Sequence, residues 1–378
     1  MKILLVGNYL PDRQDSMQFY ASMLEAGMRA RGHQVRLLQP PAVLGPRVAE
    51  SSPLSKWLGY ADKFVLFRTE LQRAAASADI VHLCDHSNAM YVPALGHSAH
   101  VITCHDILAI RSGMGHFPEN RVSVTGRMFQ RLIARGLCRA QAIVCVSGKT
   151  RDDLRQHLGI PADRLHVIPN ALHWPYKPAS AEANLPGLIS VGLRPRESYF
   201  FHIGGNHWYK NRGAVIEIFA ELRKLPQYAG ARLVMAGGPM NSELHAIAQK
   251  HRLGDALLES VGLSHEQLEA LYSGALALLF PSLEEGFGWP ILEAQACGCP
   301  VVTTDRAPMK DVAGGAAILI DPSQPDAAAR TIADGLRDTT RLRSDGLRNA
   351  TSYTAERMFE QCEMLYRETA TVTCMQLQ

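Results

Sequence analysis

Short apolar runs alternate along this chain with stretches in which apolar residues recur every three or four positions. Lys2–Val6, Gln34–Leu38, Asp79–Leu83, His100–Cys104 and Ala142–Val146 are runs of the first kind, and Ser16 to Arg31 is a stretch of the second. Continuous apolar runs of this length read as strands covered on both faces, and helices between them make βαβ units around a parallel sheet. The rhythm then breaks. After Pro169-Asn170, a stretch carrying Trp174-Pro175, Pro178, Pro186 and Pro195 has no place for a regular helix or a central strand, because proline lacks the N–H that both require. It reads as linker and domain rim.

The rhythm restarts with a strand at Tyr199–Ile203, a helix over Asn211–Lys224, a strand at Arg232–Ala236, and helices over Ser242–His251 and Ser264–Tyr272. Strands at Ala275–Phe280, Pro300–Thr303 and Ala317–Ile320 complete a second βα sheet. The expected fold is α/β, with two Rossmann-like domains, 1–190 and 191–354, facing across a cleft at the carboxyl ends of their sheets. The segment 355–378, helical from about Ala355 to Thr369, is expected to pack back on the first domain.

A length of 378 residues suits two domains better than one core. With 47% hydrophobic and 20% charged residues the balance is that of a globular chain. A net charge of +3 is too small to suggest a nucleic-acid partner. The eight cysteines form no C-x-x-C pair and sit beside no His at zinc spacing, which points to reduced thiols and no structural metal. The first apolar run is far too short for a signal-peptide core, and no run approaches the roughly 20 residues that span a bilayer. The expectation is a protein that touches a membrane at most.

Three segments carry candidate chemistry. In Glu285-Gly286-Phe287-Gly288-Trp289-Pro290-Ile291-Leu292-Glu293, Pro290 suits the first turn of a helix, where its missing N–H is not needed. Gly286 and Gly288 allow backbone N–H groups to turn toward a ligand, and Glu285 and Glu293 offer carboxylates to ligand hydroxyls. The plain alternative is a solvated loop before a proline-started helix. In Phe200-Phe201-His202-Ile203-Gly204-Gly205-Asn206-His207-Trp208-Tyr209-Lys210-Asn211-Arg212, a buried strand, a Gly-Gly turn and two cations at a helix start converge where a diphosphate would fit. An ordinary βα turn with solvated Lys210 and Arg212 is the competing account. Thr103-Cys104-His105-Asp106 places a histidine at the carboxyl end of a strand, with Asp106 either orienting its ring or capping the next segment.

Between Glu119 and Asp152 there is no acidic residue, while Arg127, Arg131 and Arg135 recur every four positions in a helix-like stretch with Met128, Phe129, Leu132 and Ile133. Such a face either lies on anionic lipid headgroups or is simply solvated. Ser147 reads as a helix N-cap. No G-x-S-x-G elbow or Ser-His-Asp order supports hydrolysis, and neither half carries the G-x-G-x-x-G of a nicotinamide enzyme.

These residues resemble glycosyltransferase family 4, retaining enzymes of the two-Rossmann-domain GT-B architecture. The resemblance runs over nearly the whole chain, through Arg31-Gly32-His33-Gln34-Val35, Asp79-Ile80-Val81-His82, His105-Asp106, Val146-Ser147, Val167-Ile168-Pro169-Asn170, Lys210-Asn211, Ala236-Gly237-Gly238 and the pair Glu285/Glu293. It implies that Glu285, with the N–H groups of Phe287 and Gly288, holds the hydroxyls of a donor sugar and that Glu293 holds the ribose. Lys210 would meet the diphosphate, His105 would reach the sugar, and Gly262 and Leu263 fall where the family binds the base. The implied activity moves a hexose from a UDP- or GDP-linked donor to a glycan, lipid-linked or small-molecule hydroxyl, with no cofactor and no metal. The implied location is the cytoplasm, in solution or peripheral on the inner face of the membrane.

The chain also departs from the family. Gly205 stands where many members carry an arginine, so Arg212 or the Gly-Gly backbone must replace that charge. The first loop, Gly7-Asn8-Tyr9, lacks the usual Gly-Gly pair, and Lys310-Asp311 replaces a common Pro-Glu. A nucleotide-sugar epimerase of the same architecture and a non-catalytic sugar-nucleotide-binding protein are the alternatives.

Overall fold

The inner strands are short, apolar and covered on both sides. The computed structural model describes residues 1–45 and 53–376. Six strands, β1 (Lys2–Val6), β2 (Gln34–Leu38), β3 (Ile80–Leu83), β4 (His100–Cys104), β5 (Ala142–Cys145) and β6 (Leu165–Val167), form one sheet in the order β2-β1-β3-β4-β5-β6. Every residue of β3, β4 and β5 is buried, whereas β2 at the edge alternates exposed and covered positions. A second six-stranded sheet contains β7 (Tyr199–Gly204), β8 (Arg232–Gly237), β9 (Leu257–Ser260), β10 (Leu278–Phe280), β11 (Val301–Thr304) and β12 (Ile318–Ile320), in the order β12-β11-β10-β7-β8-β9. All pairings in both sheets are parallel. The fold is α/β with two Rossmann-like parallel sheets.

In each sheet the chain leaves its first strand in one direction and later returns to the other side, so β1 lies between β2 and β3, and β7 between β8 and β10. The loops after those strands diverge there, which leaves a crevice at the carboxyl ends of β1 and β3 and another at those of β7 and β10. Both crevices are therefore fixed by strand order alone.

One compact unit comprises Met1–His173 with Ala355–Gln378, and the other Trp174–Thr354. The long helix Ala355–Gln376 lies in the first unit, where Phe359 packs so closely on Gly27 of the helix Asp15–Ala30 that a Cβ there would meet its ring at 2.3 Å. Arg31 Nε donates to Glu363 at 2.7 Å, and the Tyr366 hydroxyl shares a hydrogen bond with His82 Nδ1 at 2.5 Å. His82 Nε2 in turn meets the Thr103 hydroxyl at 2.7 Å, so the polar residues of two buried strands satisfy one another.

The proline-rich stretch is a correction. A regular helix spans Ala181–Ser190 with Pro186 inside it, capped by Ser180, whose hydroxyl accepts from Ala183 N–H. Proline there forfeits one backbone bond. Packing compensates: Gly187 brings this helix so near the helix His265–Gly274 that a Cβ would meet that of Ala270 at 2.9 Å. Among the described residues no helix is long and apolar enough to cross a membrane.

Candidate functional site

In the second unit the loops following β7 and β10 are stitched together by backbone bonds. Leu283 N–H donates to Tyr209 O at 2.8 Å, and Asn211 Nδ2 donates to Pro281 O at 3.1 Å. Asn211 adopts a left-handed conformation, φ 53°, between the turn Trp208–Lys210 and the helix Arg212–Leu222, and Asn tolerates this better than most residues. The stitching places Lys210 Nζ 2.7 Å from Glu285 Oε1, a largely buried ion pair at the crevice between β7 and β10. Gly237, opposite Gly204 on the paired strands β8 and β7, is constrained too: its φ is 103°, and a Cβ there would meet Gly204 O at 2.5 Å.

Beyond Glu285 the chain turns through Gly288, φ 105°, into the helix Trp289–Ala296, with Pro290 in its first turn. Of the two glycines in this loop only Gly288 uses a conformation that a side chain would resist; Gly286 does not. Phe287 is buried between Trp289 and Tyr353. Glu293 is buried on this helix and accepts a 2.6 Å hydrogen bond from the Tyr272 hydroxyl. Burial pushes its carboxyl up to about 7, while Tyr272 and the Lys210 charge hold it back. The two carboxylates of the segment are thus in different states: Glu285 is ion-paired, and Glu293 titrates near neutrality.

Arg212 is neither solvated nor ion-paired through its described contacts. Its Nη1 donates to Gly238 O at 2.8 Å and also to Asn206 Oδ1, which straps the turn after β7 to the turn after β8. Its Nε and Nη2 are buried with no hydrogen-bond partner among the described residues. Gly262, φ 66°, and Leu263 follow β9, at the sheet edge, just before a helix capped by Ser264 and Gln267. Among the described residues no three His, Cys, Asp or Glu side chains converge as metal ligands.

In the first unit the crevice between β1 and β3 collects polar residues that no sequence motif marks. Asn8 Nδ2 donates to Asp85 Oδ2 at 2.7 Å, Asn88 Nδ2 donates to Asn8 Oδ1 at 2.9 Å, and His86 Nδ1 lies 2.9 Å from Asp85 Oδ1. Burial would raise the Asp85 carboxyl and lower His86, yet their mutual attraction prevails and moves both the other way. His105 directly follows β4 and meets Cys84 O at 3.1 Å through Nε2; burial outweighs nearby Asp85 and holds its ring below the ordinary histidine range. Asp106 accepts from Leu108 N–H at 2.8 Å, at the start of the helix Leu108–Gly113. Ser147 accepts from Thr150 N–H and caps its helix as expected. The only sequence signal for Asp85 and His86 is their position just past a buried apolar run.

The arginine-rich stretch folds as the helix Val124–Arg139, capped by Ser123, with Val124, Met128 and Leu132 exposed beside Arg127, Arg131 and Arg135.

Residues 17–173 match the family described as Glycosyltransferase Family 4, and residues 190–358 that described as Glycosyl transferases group 1. The chain is 29% identical over 242 residues to the O-antigen chain mannosyltransferase B of Escherichia coli, covering 63% of this chain and 61% of that protein. The match thus spans about three fifths of that relative's own length. Among solved structures, a sucrose-phosphate synthase from Thermosynechococcus elongatus superposes with a TM-score of 0.77 at 19% identity, over 98% of this chain and 100% of the other. An Anabaena protein, HepE, in complex with UDP and glucose superposes at 0.73 and 15% identity, over 97% and 99%.

Proposed function

We propose, since the chain belongs to glycosyltransferase family 4, that it moves a hexose from a nucleoside-diphosphate sugar to a hydroxyl acceptor with retention of configuration and without a metal. The observation that carries this reading is the buried Lys210–Glu285 pair at the crevice between β7 and β10, beside the glycine-started helix that bears Glu293. Glu285 accepts from the sugar hydroxyls, the N–H groups of Phe287 and Gly288 join it, and Glu293 accepts from the ribose. Lys210 exchanges its contact with Glu285 for the diphosphate. Arg212, whose Nε and Nη2 lack partners among the described residues, takes the place of the arginine that Gly205 displaces. Gly204, Asn211, Gly262 and Leu263 line the remainder of the donor. The UDP in the Anabaena structure supports a nucleotide-sugar donor, and the mannosyltransferase relative supports hexose transfer.

The step consistent with these groups is front-face substitution. The departing diphosphate takes the acceptor's proton while Lys210 and backbone N–H groups stabilise its growing negative charge. No protein nucleophile is required. His105 is proposed as a substrate contact in its own right, and His105→Ala tests it.

Incubation of the purified protein with UDP- and GDP-hexoses, with and without hydroxyl acceptors, is the decisive assay. Product formed only with acceptor, its anomeric configuration read by NMR and its yield unchanged by a chelator, supports the proposal. A Glu285→Gln protein that kept most of its turnover would remove Glu285 from the donor site, and an isomerised nucleotide sugar formed without acceptor would replace transfer by epimerisation.

The exposed Val124, Met128 and Leu132 beside Arg127, Arg131 and Arg135 favour one addition, peripheral contact with an anionic membrane. Reversing the three charges abolishes sedimentation with anionic vesicles on this account; unchanged sedimentation removes it.

A further inference from the structure

The helix Leu108–Gly113, the loop after it and the helix Val124–Arg139 border an open cavity of about 740 Å³ in the first unit. That volume is typical of small-molecule sites, roughly 300–1,000 Å³. Its lining has two characters. Ile110, Met114, Phe117 and Val122 supply apolar surface; Arg121, Arg127 and Arg131 supply guanidinium groups; and no Asp or Glu is among the described lining residues. Arg111 and Arg151, close by in sequence, pair with Asp153 and Asp152, whereas these three arginines form no ion pair among the described residues. Gln130 also lines the cavity, and its Oε1 is buried with no hydrogen-bond partner among the described residues. Buried acceptors are normally satisfied, so this oxygen points to a donor group on a ligand.

We infer that this cavity binds a phosphate ester bearing an apolar chain. Guanidinium forks match phosphate oxygens in pairs, and three of them suit a group carrying nearly two negative charges better than a single carboxylate. The chain of the ester lies on Met114, Phe117 and Val122, and a hydroxyl of its headgroup donates to Gln130 Oε1. The helix Leu108–Gly113 begins three residues after His105, which joins the cavity to the carboxyl end of β4. Its use as the acceptor's binding site rests on the transferase reading above; its affinity for the ester does not.

Isothermal titration of the full chain at fixed ionic strength tests this with 1-hexanoyl lysophosphatidic acid, which keeps a free glycerol hydroxyl, inorganic phosphate and hexanoate as probes. The lipid binds at least about tenfold more tightly than either fragment, and Arg127→Gln or Arg131→Gln each weakens it about tenfold or more, as for loss of a charge-assisted contact. Arg139→Gln, on the same helix but outside the lining, leaves the affinity unchanged. Equal weakening by Arg139→Gln overturns the proposal in favour of diffuse surface attraction, and inorganic phosphate binding as tightly as the lipid overturns the role of the apolar wall. Circular dichroism confirms that each variant is folded. No nucleotide sugar enters the titration, so its failure is separate from any failure of the transferase reading.

Discussion

Replacing Glu293 with glutamine is expected to make the protein more stable and less active, in a manner that depends on pH. The amide keeps an oxygen to accept from Tyr272, 2.6 Å away in the parent, and loses only the titration. Burial raises the folded-state pKa from 4.5 to about 7. A raised carboxyl pKa means that the native state holds its proton more tightly than the unfolded chain. The parent is then most stable at low pH, loses stability as pH rises between those two values, and is level above them. At about 1.4 kcal/mol per pKa unit, the stability difference should widen in the variant's favour by about 2–3 kcal/mol between about pH 5 and pH 8. Urea melts of both proteins at several pH values measure this directly, and taking the difference cancels the histidines that titrate in the same range. Donor affinity at pH 8 should fall, because the ribose meets an amide in place of a carboxylate. A stability difference that stayed constant from pH 5 to pH 8 would refute the reasoning, since it would mean that Glu293 is not held as a buried acid.

Neighbouring positions carry outcomes of their own. Lys210→Met strands a carboxylate that is 9% exposed and should lower stability by about 2–4 kcal/mol; adding Glu285→Gln should restore most of that in a thermal melt without restoring turnover. Gly205 is not left-handed, and a Cβ there meets nothing closer than the His207 ring at 3.5 Å, so Gly205→Arg should fold normally and bind the donor roughly tenfold more tightly by calorimetry. Gly136→Ala drives a methyl to within 2.0 Å of Ala89 O and should lower the urea midpoint by the equivalent of about 1–3 kcal/mol.

What can be read from the sequence is what burial writes into it. β3, β4 and β5 are covered on both faces and therefore appear as mostly apolar runs, interrupted by His82 in β3 and by His100 and Thr103 in β4. β6 and β9 lie at sheet edges, where Leu165-His166-Val167 and Leu257-Leu258-Glu259-Ser260 need not be apolar throughout, and neither stands out as a strand. Strand order is not written in local pattern at all. A cleft at the carboxyl ends of the strands and the first loop with Asn8 can be expected from the sequence, but Asp85 and His86, which strand order brings beside Asn8, cannot. Arg212 shows a different limit: its type and its place at a helix start are clear, but only packing decides that its guanidinium turns inward to Gly238. Pro186 shows that a residue that breaks an isolated helix is accepted when a glycine such as Gly187 permits close packing.

The helix Ala355–Gln376, clamped to the first unit through Phe359, Glu363 and Tyr366, gives the chain an unusual order of assembly. Residues 174–354 form an unbroken stretch and can close their core as soon as they emerge from the ribosome, whereas the unit that starts first finishes last. Until the final helix arrives, His82 Nδ1 and Gly27 lack their partners, and β3 and β4 wait without part of their cover. A chain cut near residue 354 should therefore yield a well-folded second unit attached to an aggregation-prone first one. Growth from one end makes the carboxyl-terminal helix the closing piece of the amino-terminal unit.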